Sequence, residues 1–371
     1  MEKESQSGKV QTDTFLAQIG NHQNPVTGSI NTPIYFSTTY EHPTLGESTG
    51  YDYTRTKNPT REVVESALAV LENGVIGLAT SSGMSAVQLV LSQFPVGSQI
   101  IASRDLYGGS YRYFKELETQ GIYQFIYVDD EAGFEREISD QTAAVFIETP
   151  TNPLMSEVSI EEVAVFTKRH QAQLIVDNTF YTPLIQRPLD LGADIVLHSA
   201  TKYLGGHNDL LAGAVIARSQ EVGERLAFSL NTTGAVLSPF DCWLLIRGMK
   251  TLALRMERHE KNAQSVVAYL KTSSYVKEVM YPGRGGMLSF KLKDHEKIKD
   301  FLRNLSIFTF AESLGGVESL ITYPTTQTHA DIPKELRESY GLTPDLLRIS
   351  TGIEASEDLI EDLKQAFEAL K

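Results

Sequence analysis

Two stretches decide how this chain reads: LIVDNTF (residues 174–180) and, after a short gap, ADIVLHSATKYLGGHNDLLAG (193–213). Asp177 closes the first apolar run. Lys202 stands just past the second, with the hydroxyls of Ser199 and Thr201 before it and Gly205-Gly206 after it. Short runs rich in Val, Ile and Leu, bounded by polar or glycine breaks, read as buried strands. Four more such runs lie upstream: IGLAT (76–80), SQIIAS (98–103), FIYVD (125–129) and AAVFIET (143–149). Helix-like segments fall between them. One is TREVVESALAVLENG (60–74), with Thr60 as its expected cap, an apolar face of Val63, Val64, Ala67, Leu68 and Leu71, and a stop at Asn73-Gly74. Another is SIEEVAVFTKRH (159–170), opened by a Ser159/Glu162 capping box. Strands alternating with helices predict an α/β fold with a mostly parallel sheet, whose ligand site gathers at the strands' carboxyl ends. Asp177 and the Lys202 segment are therefore expected at one edge.

At 371 residues the chain is long for one core, and three parts are expected. Residues 1–58 read as an N-terminal extended arm with a frayed polar start, 59–250 as the large α/β domain, and 251–371 as a smaller α/β domain. The stretch 244–270 reads as one long helix; GMLSFKLKD (286–294) and FTFAES (308–313) read as strands, and SEDLIEDLKQAFEAL (356–370) as a closing helix. A formal charge of −14 and the lack of a basic patch argue against nucleic acid. No apolar run reaches membrane-spanning length, and the first residues lack a signal peptide's apolar core, so a cytoplasmic protein is expected. The single cysteine, Cys242, has apolar flanks and reads as a buried hydrophobe, and His198, His207 and His329 lack ligand spacing, so no metal is expected.

A lysine amine becomes a nucleophile toward carbonyls when its surroundings lower its pKa. Hydroxyls beside Lys202 suit a phosphate, as do the N–H groups of Gly83 and Met84, which open a helix in TSSGMSAVQLVLSQF (80–94). A strand-end aspartate suits a ring nitrogen that must stay protonated. Tyr107, in DLYGGSYR (105–112), is placed to stack on a flat ring. Together these describe pyridoxal 5'-phosphate. From the residues alone, a cofactor-free Schiff-base aldolase using Lys202 stays open.

The ordered set YDYTRTKNPTR, SSGMSA, DLYGGSYR, ETPTNPL, VDNTF, HSATKYLGGHNDLLAG, AESLGGVESL and LLRISTGIE resembles the Cys/Met-metabolism (transsulfuration) family of pyridoxal-phosphate enzymes over nearly the whole chain. The resemblance implies the fold type I, aspartate-aminotransferase-like architecture. It implies that Lys202 holds the cofactor covalently and shuttles protons, with Tyr107 and Tyr53 as further catalytic residues. Asp177 would pair with the ring nitrogen, Asn152 would lie near the phenolic oxygen, and Gly83, Met84, Ser199 and Thr201 would contact the phosphate. Tyr53 and Arg55 would reach the phosphate of a neighbouring subunit, in a homotetramer of two site-sharing dimers. Arg348, with Ser313, would clamp the substrate carboxylate, beside Asn152 and Glu312. Glu312 resembles the acid that γ-acting members carry. With Asn208 in HNDLLAG and the GGMLSF stretch, it points within the family to the Gram-positive cystathionine γ-synthase and O-acetylhomoserine thiol-lyase group. The implied partners are small amino-acid substrates, the leading reaction γ-replacement on an O-acyl-L-homoserine, and the alternative a C–S lyase acting by elimination.

Overall fold

The structure is a computed structural model describing residues 10–22 and 24–370, so most of the polar start lies outside the described residues. All six apolar runs form strands: β1 (Ile76–Thr80), β2 (Gln99–Ser103), β3 (Gln124–Val128), β4 (Thr142–Glu148), β5 (Gln173–Asp177) and β6 (Ile195–His198). A seventh that the sequence reading passed over, β7 (Gly213–Ala217), follows the Lys202 segment. The sheet order is β1-β7-β6-β5-β4-β2-β3. Only β7 opposes its neighbours; β2, β3, β4, β5 and β6 pair in parallel. The chain turns from β6 to β7 through a loop with no crossover helix, and such a direct return reverses the strand.

Period-two alternation sorts the sheet's side chains between two cores. Val145, Val176, Val196 and Ile216 face one, while Phe146, Ile175, Leu197 and Val215 face the other. The same parity carries past the last apolar residues. Glu148 and Asp177, partners in the β4–β5 register, continue the face of Phe146 and Ile175. His198 continues the face of Val196.

A second sheet holds β8 (Val276–Met280), β9 (Met287–Leu292), β10 (Thr309–Phe310), β11 (Leu320–Thr322) and β12 (Leu346–Ser350), ordered β10-β11-β12-β9-β8. Leu288, Phe290, Leu347 and Ile349 pack with Leu359 and Leu363 of the helix Ser356–Glu368. FTFAES thus supplies only a two-residue strand.

Three local expectations are corrected. The helix Pro59–Leu71 is capped by Asn58, not Thr60: the Asn58 Oδ1 accepts the Thr60 and Arg61 N–H groups at 2.9 and 3.2 Å. Pro59 occupies the first helical position, where its missing N–H leaves nothing unpaired, so the cap falls one residue before it. The predicted stop holds, with Asn73 at φ 56° and the Gly74 N–H reaching the Ala69 carbonyl at 2.8 Å. The long helix at 244–270 is two, Pro239–Met249 and Leu252–Thr272. The Arg255 guanidinium folds back onto the freed Gly248 carbonyl at 2.8 Å, which sustains the break. The arm is not wholly extended either, since Thr12–Gln18 forms a helix that buries Leu16.

Asn58 also donates to the Tyr35 carbonyl at 2.9 Å, tying the arm to the helix start. Asn58→Ala should therefore cost about 1–2 kcal/mol, the usual worth of a lost cap. A lowered urea midpoint would register this, with a smaller loss expected for Asn58→Asp, which keeps only the capping oxygen.

Candidate active site

The carboxyl ends of β4, β5 and β6 and the loop after β1 border a cleft of about 360 Å³. Its lining brings together Gly83, Met84, Tyr107, Asn152, Asp177 and Ser199 with Thr201, Lys202, Glu312, Ser313 and Arg348. Two larger recesses of about 730 Å³ lie elsewhere, one against the arm and one beside Arg187 and Arg284. Neither brings an amine, a buried guanidinium and a strand-end acid to one place.

Lys202 Nζ donates to Ser313 Oγ at 2.9 Å. Burial, then the positive charge of Arg348, lower its pKa to about 8, against the pull of Glu312. Arg348, on β12, is buried and held by neutral acceptors: Asn152 Oδ1 at 2.8 Å, the Ser313 carbonyl at 3.0 Å and Thr322 Oγ at 3.2 Å. A fixed guanidinium with no carboxylate on it suits a ligand's carboxylate.

Asp177 ends β5 with Oδ1 accepting from both the N–H and the hydroxyl of Thr179, at 3.0 and 2.5 Å. Thr179 Oγ in turn accepts the Ser199 N–H at 2.8 Å. Burial raises the Asp177 pKa and the two Thr179 bonds oppose it, so a cation beside Asp177 would be welcome.

The helix Gly83–Leu91 aims its N-terminus into the cleft. Ser82 caps it through the Ser85 N–H at 3.0 Å, leaving the Gly83 and Met84 N–H groups, which no helix satisfies internally, for a ligand. Gly83 cannot be replaced there, because an added Cβ would stand 2.8 Å from Ser199 Cβ. Helix end and Ser199 hydroxyl thus form a cradle of anion size. Thr201 lines the cleft too, but its hydroxyl is engaged with the Ala212 backbone, donating at 3.1 Å and accepting at 2.9 Å. Tyr107 caps the helix Gly108–Thr119 with its ring against Gly109, where an added Cβ would meet the ring at 2.5 Å. Tyr53 and Arg55 stay outside the cleft on the arm, Tyr53 half-exposed and the Arg55 guanidinium on the Asn231 carbonyl.

Sequence reasoning missed Thr179 and Glu148. An Asx-type signal, an acid followed two residues on by threonine, marks the first. Glu148 ends its apolar run as Asp177 does, so the same rule would have found it. Among the described residues no group of His, Cys, Asp and Glu is arranged to hold a metal, and no helix is long and apolar enough to cross a membrane.

An anion cradle, a buried acid for a ring nitrogen and a weakly basic amine are what pyridoxal phosphate requires, and the residues fit it: this is a pyridoxal-phosphate-dependent enzyme of fold type I. Residues 13–368 match the Cys/Met metabolism PLP-dependent enzyme family. The cystathionine gamma-synthase/O-acetylhomoserine (thiol)-lyase of Bacillus subtilis (strain 168) is 58% identical over 95% of each chain. A cystathionine beta-lyase of Lactococcus lactis subsp. cremoris (strain MG1363) is 47% identical over 94% of this chain and 97% of its own. The crystal structure of cystathionine gamma synthase from Xanthomonas oryzae pv. oryzae superposes with a TM-score of 0.95 at 37% identity, covering 97% and 98% of the two chains. The chain belongs to the Cys/Met-metabolism family of PLP-dependent enzymes.

At pH 8 about half of the Lys202 amine should be free base, against less than about 1% for an unshifted lysine. Competitive acetylation of the cofactor-free protein, read at Lys202 by mass spectrometry, should give a midpoint near 8. Arg348→Gln should raise that midpoint and Glu312→Gln lower it, because each removes one of the two charges acting on the amine.

Proposed function

We propose that this enzyme joins an O-acyl-L-homoserine to L-cysteine by γ-replacement, giving L-cystathionine and releasing the acyl group as a carboxylate, in methionine biosynthesis. Sulfide in place of cysteine would give homocysteine. The observation that carries the reading is the placement of Glu312 beside Ser313, in one cleft with the Lys202 amine and the Arg348 guanidinium. An acid there can receive the ammonium group of the incoming amino acid while Arg348 holds the carboxylate of the first substrate.

Bound pyridoxal phosphate supplies the electron sink that acidifies the hydrogen on the substrate's α-carbon. Lys202 would hold that cofactor until substrate displaces it, Asp177 would pair with the ring nitrogen, and Gly83, Met84 and Ser199 would take the phosphate. Asn152 lines the cleft near where the phenolic oxygen would lie, and Tyr107, in the same lining, would cover the ring. Departure of a γ-substituent requires protons to leave both the α- and the β-carbon, so one mobile base must reach both. The Lys202 amine fits, since its pKa, lowered to about 8, lets a substantial share of it shed its proton near physiological pH, and Ser313 Oγ steadies it.

Elimination from cystathionine is the second reading, favoured by the lactococcal relative, whose name is that of a β-lyase. The purified enzyme given O-acetylhomoserine and cysteine should form thioether, and given cystathionine alone should release little ketoacid and ammonia. Rapid ketoacid release with no thioether would establish the lyase instead.

Tyr53 and Arg55 lie on the arm outside their own chain's cleft, which supports sites shared between two subunits of a homotetramer. Mixing Lys202→Ala chains with Arg55→Ala chains, each inactive alone, should then restore part of the activity, because one mixed site carries both native residues. Sites confined to single chains would show no recovery.

A further inference from the structure

Glu148 lines the cleft yet has no part in the chemistry above. Only 6% of its surface is exposed. Its Oε2 accepts the Tyr107 N–H at 2.8 Å, and among the described residues its other oxygen has no hydrogen-bond partner. In the β4–β5 register Glu148 lies opposite Asp177 on the same face, and neighbouring strands are roughly 5 Å apart.

A third acid, half-buried, stands close by. Asp105, in the loop after β2, accepts the Leu154 N–H at 3.2 Å with Oδ2 and leaves Oδ1 unpaired. Facing these three carboxyls is one guanidinium, that of Arg348, already held by Asn152, Ser313 and Thr322. The Lys202 amine lines the same cleft, but its hydrogen bond goes to Ser313 Oγ and to none of these carboxyls. His329 donates from Nε2 to the Asn152 carbonyl at 2.9 Å, and its burial lowers its pKa to about 4, so the ring is neutral. Tyr107 has its phenol pushed up by burial and stays neutral. His198 lies on the opposite face of the sheet, paired with Glu72 at 2.6 Å. Two carboxylates side by side in a poorly hydrated cleft resist ionising together, and a protonated ring nitrogen beside Asp177 would offset that carboxylate alone.

We propose that Glu148 is a positioning residue of the cofactor bed that works as a neutral carboxylic acid, accepting the Tyr107 N–H with Oε2 and carrying its proton on Oε1. The proton is placed on Oε1 because Oε2 accepts the Tyr107 amide, and the carbonyl oxygen of a carboxylic acid is a better acceptor than its hydroxyl oxygen. The acid then has two jobs: it fixes the backbone from which Tyr107 covers the ring, and it offers an O–H to an acceptor of the bound cofactor. It also leaves Asp177 as the one anion beside the ring nitrogen. Burial first, and then the charge of Asp177, hold Glu148 well above the usual carboxylate range, against the Tyr107 N–H bond and the charge of Arg348. The inference rests on the cofactor site assigned above.

The test is the difference infrared spectrum of the holoenzyme at pH 8, wild type against Glu148→Gln. The carbonyl stretch of a protonated carboxyl should be present in the wild type and absent from the variant. Glutamine keeps both an acceptor for Tyr107 and a neutral donor, so the cofactor dissociation constant should change by less than about threefold, whereas Glu148→Ala, which strands a buried N–H, should weaken binding roughly tenfold. Loss of carboxylate bands alone in the Gln variant would overturn the proposal. So would a protonated-carboxyl band that survives Glu148→Gln and disappears in Asp177→Asn, and so would binding weakened as much by Gln as by Ala. If Asp177→Asn binds cofactor as tightly as the wild type, the assignment of the ring-nitrogen partner is what fails, a result independent of the Glu148 band.

Discussion

A buried amine held next to a buried guanidinium is the constraint on which this site depends. Lys202 donates to a serine hydroxyl, and Arg348 to an amide oxygen, a carbonyl and a hydroxyl. These acceptors fix both side chains without neutralising either. Burial in the cleft, and then repulsion from the guanidinium, are relieved by the group that sheds its proton more easily, which is the amine. The site thus holds a base that is about half neutral at pH 8 and a cation with no carboxylate on it.

That contact requires the second sheet to press hard against the Lys202 loop, and glycines permit it. At Gly315, φ 74°, an added Cβ would stand 2.6 Å from the Tyr203 amide nitrogen. At Gly316 it would stand 2.3 Å from Asn208 Nδ2. Asn208 occupies the left-handed region at φ 53°, which asparagine tolerates, and its Nδ2 donates to Glu318 at 2.8 Å. Two residues before Gly315, Ser313 is held at φ 102°, a conformation unusual for a residue with a Cβ, with its hydroxyl on the Lys202 amine. Side chains of the reverse face secure the sheet from behind. His198, at the end of β6, pairs with the buried Glu72 at 2.6 Å, and Asn178 donates to the same carboxylate oxygen at 3.0 Å. This histidine clamps the C-terminal end of the helix Pro59–Leu71 to the sheet, and Cys242 is likewise fully buried.

The sequence by itself determined the strands, most of the helices, and the edge at which the chemistry gathers. Each of these follows from residues near one another in the chain: alternation over about five positions for a strand, spacing of three and four for a helix, and a cap or stop at the ends. It located Asp177, Lys202 and the Gly83 helix start because all three sit at the ends of such patterns. Where local signals compete it erred, as at Thr60, where Pro59 shifts the cap back to Asn58, and at 244–270, where side-chain contacts from Arg255 sustain a break that periodicity does not mark. Tertiary structure alone decided the rest. Arg348 meets Asn152 across 196 residues, and Ser313 meets Lys202 across 111, by way of two sheets whose packing no local pattern encodes. The same packing fixed the electrostatics, since whether an amine or an acid keeps its proton depends on burial and on the charges folded against it.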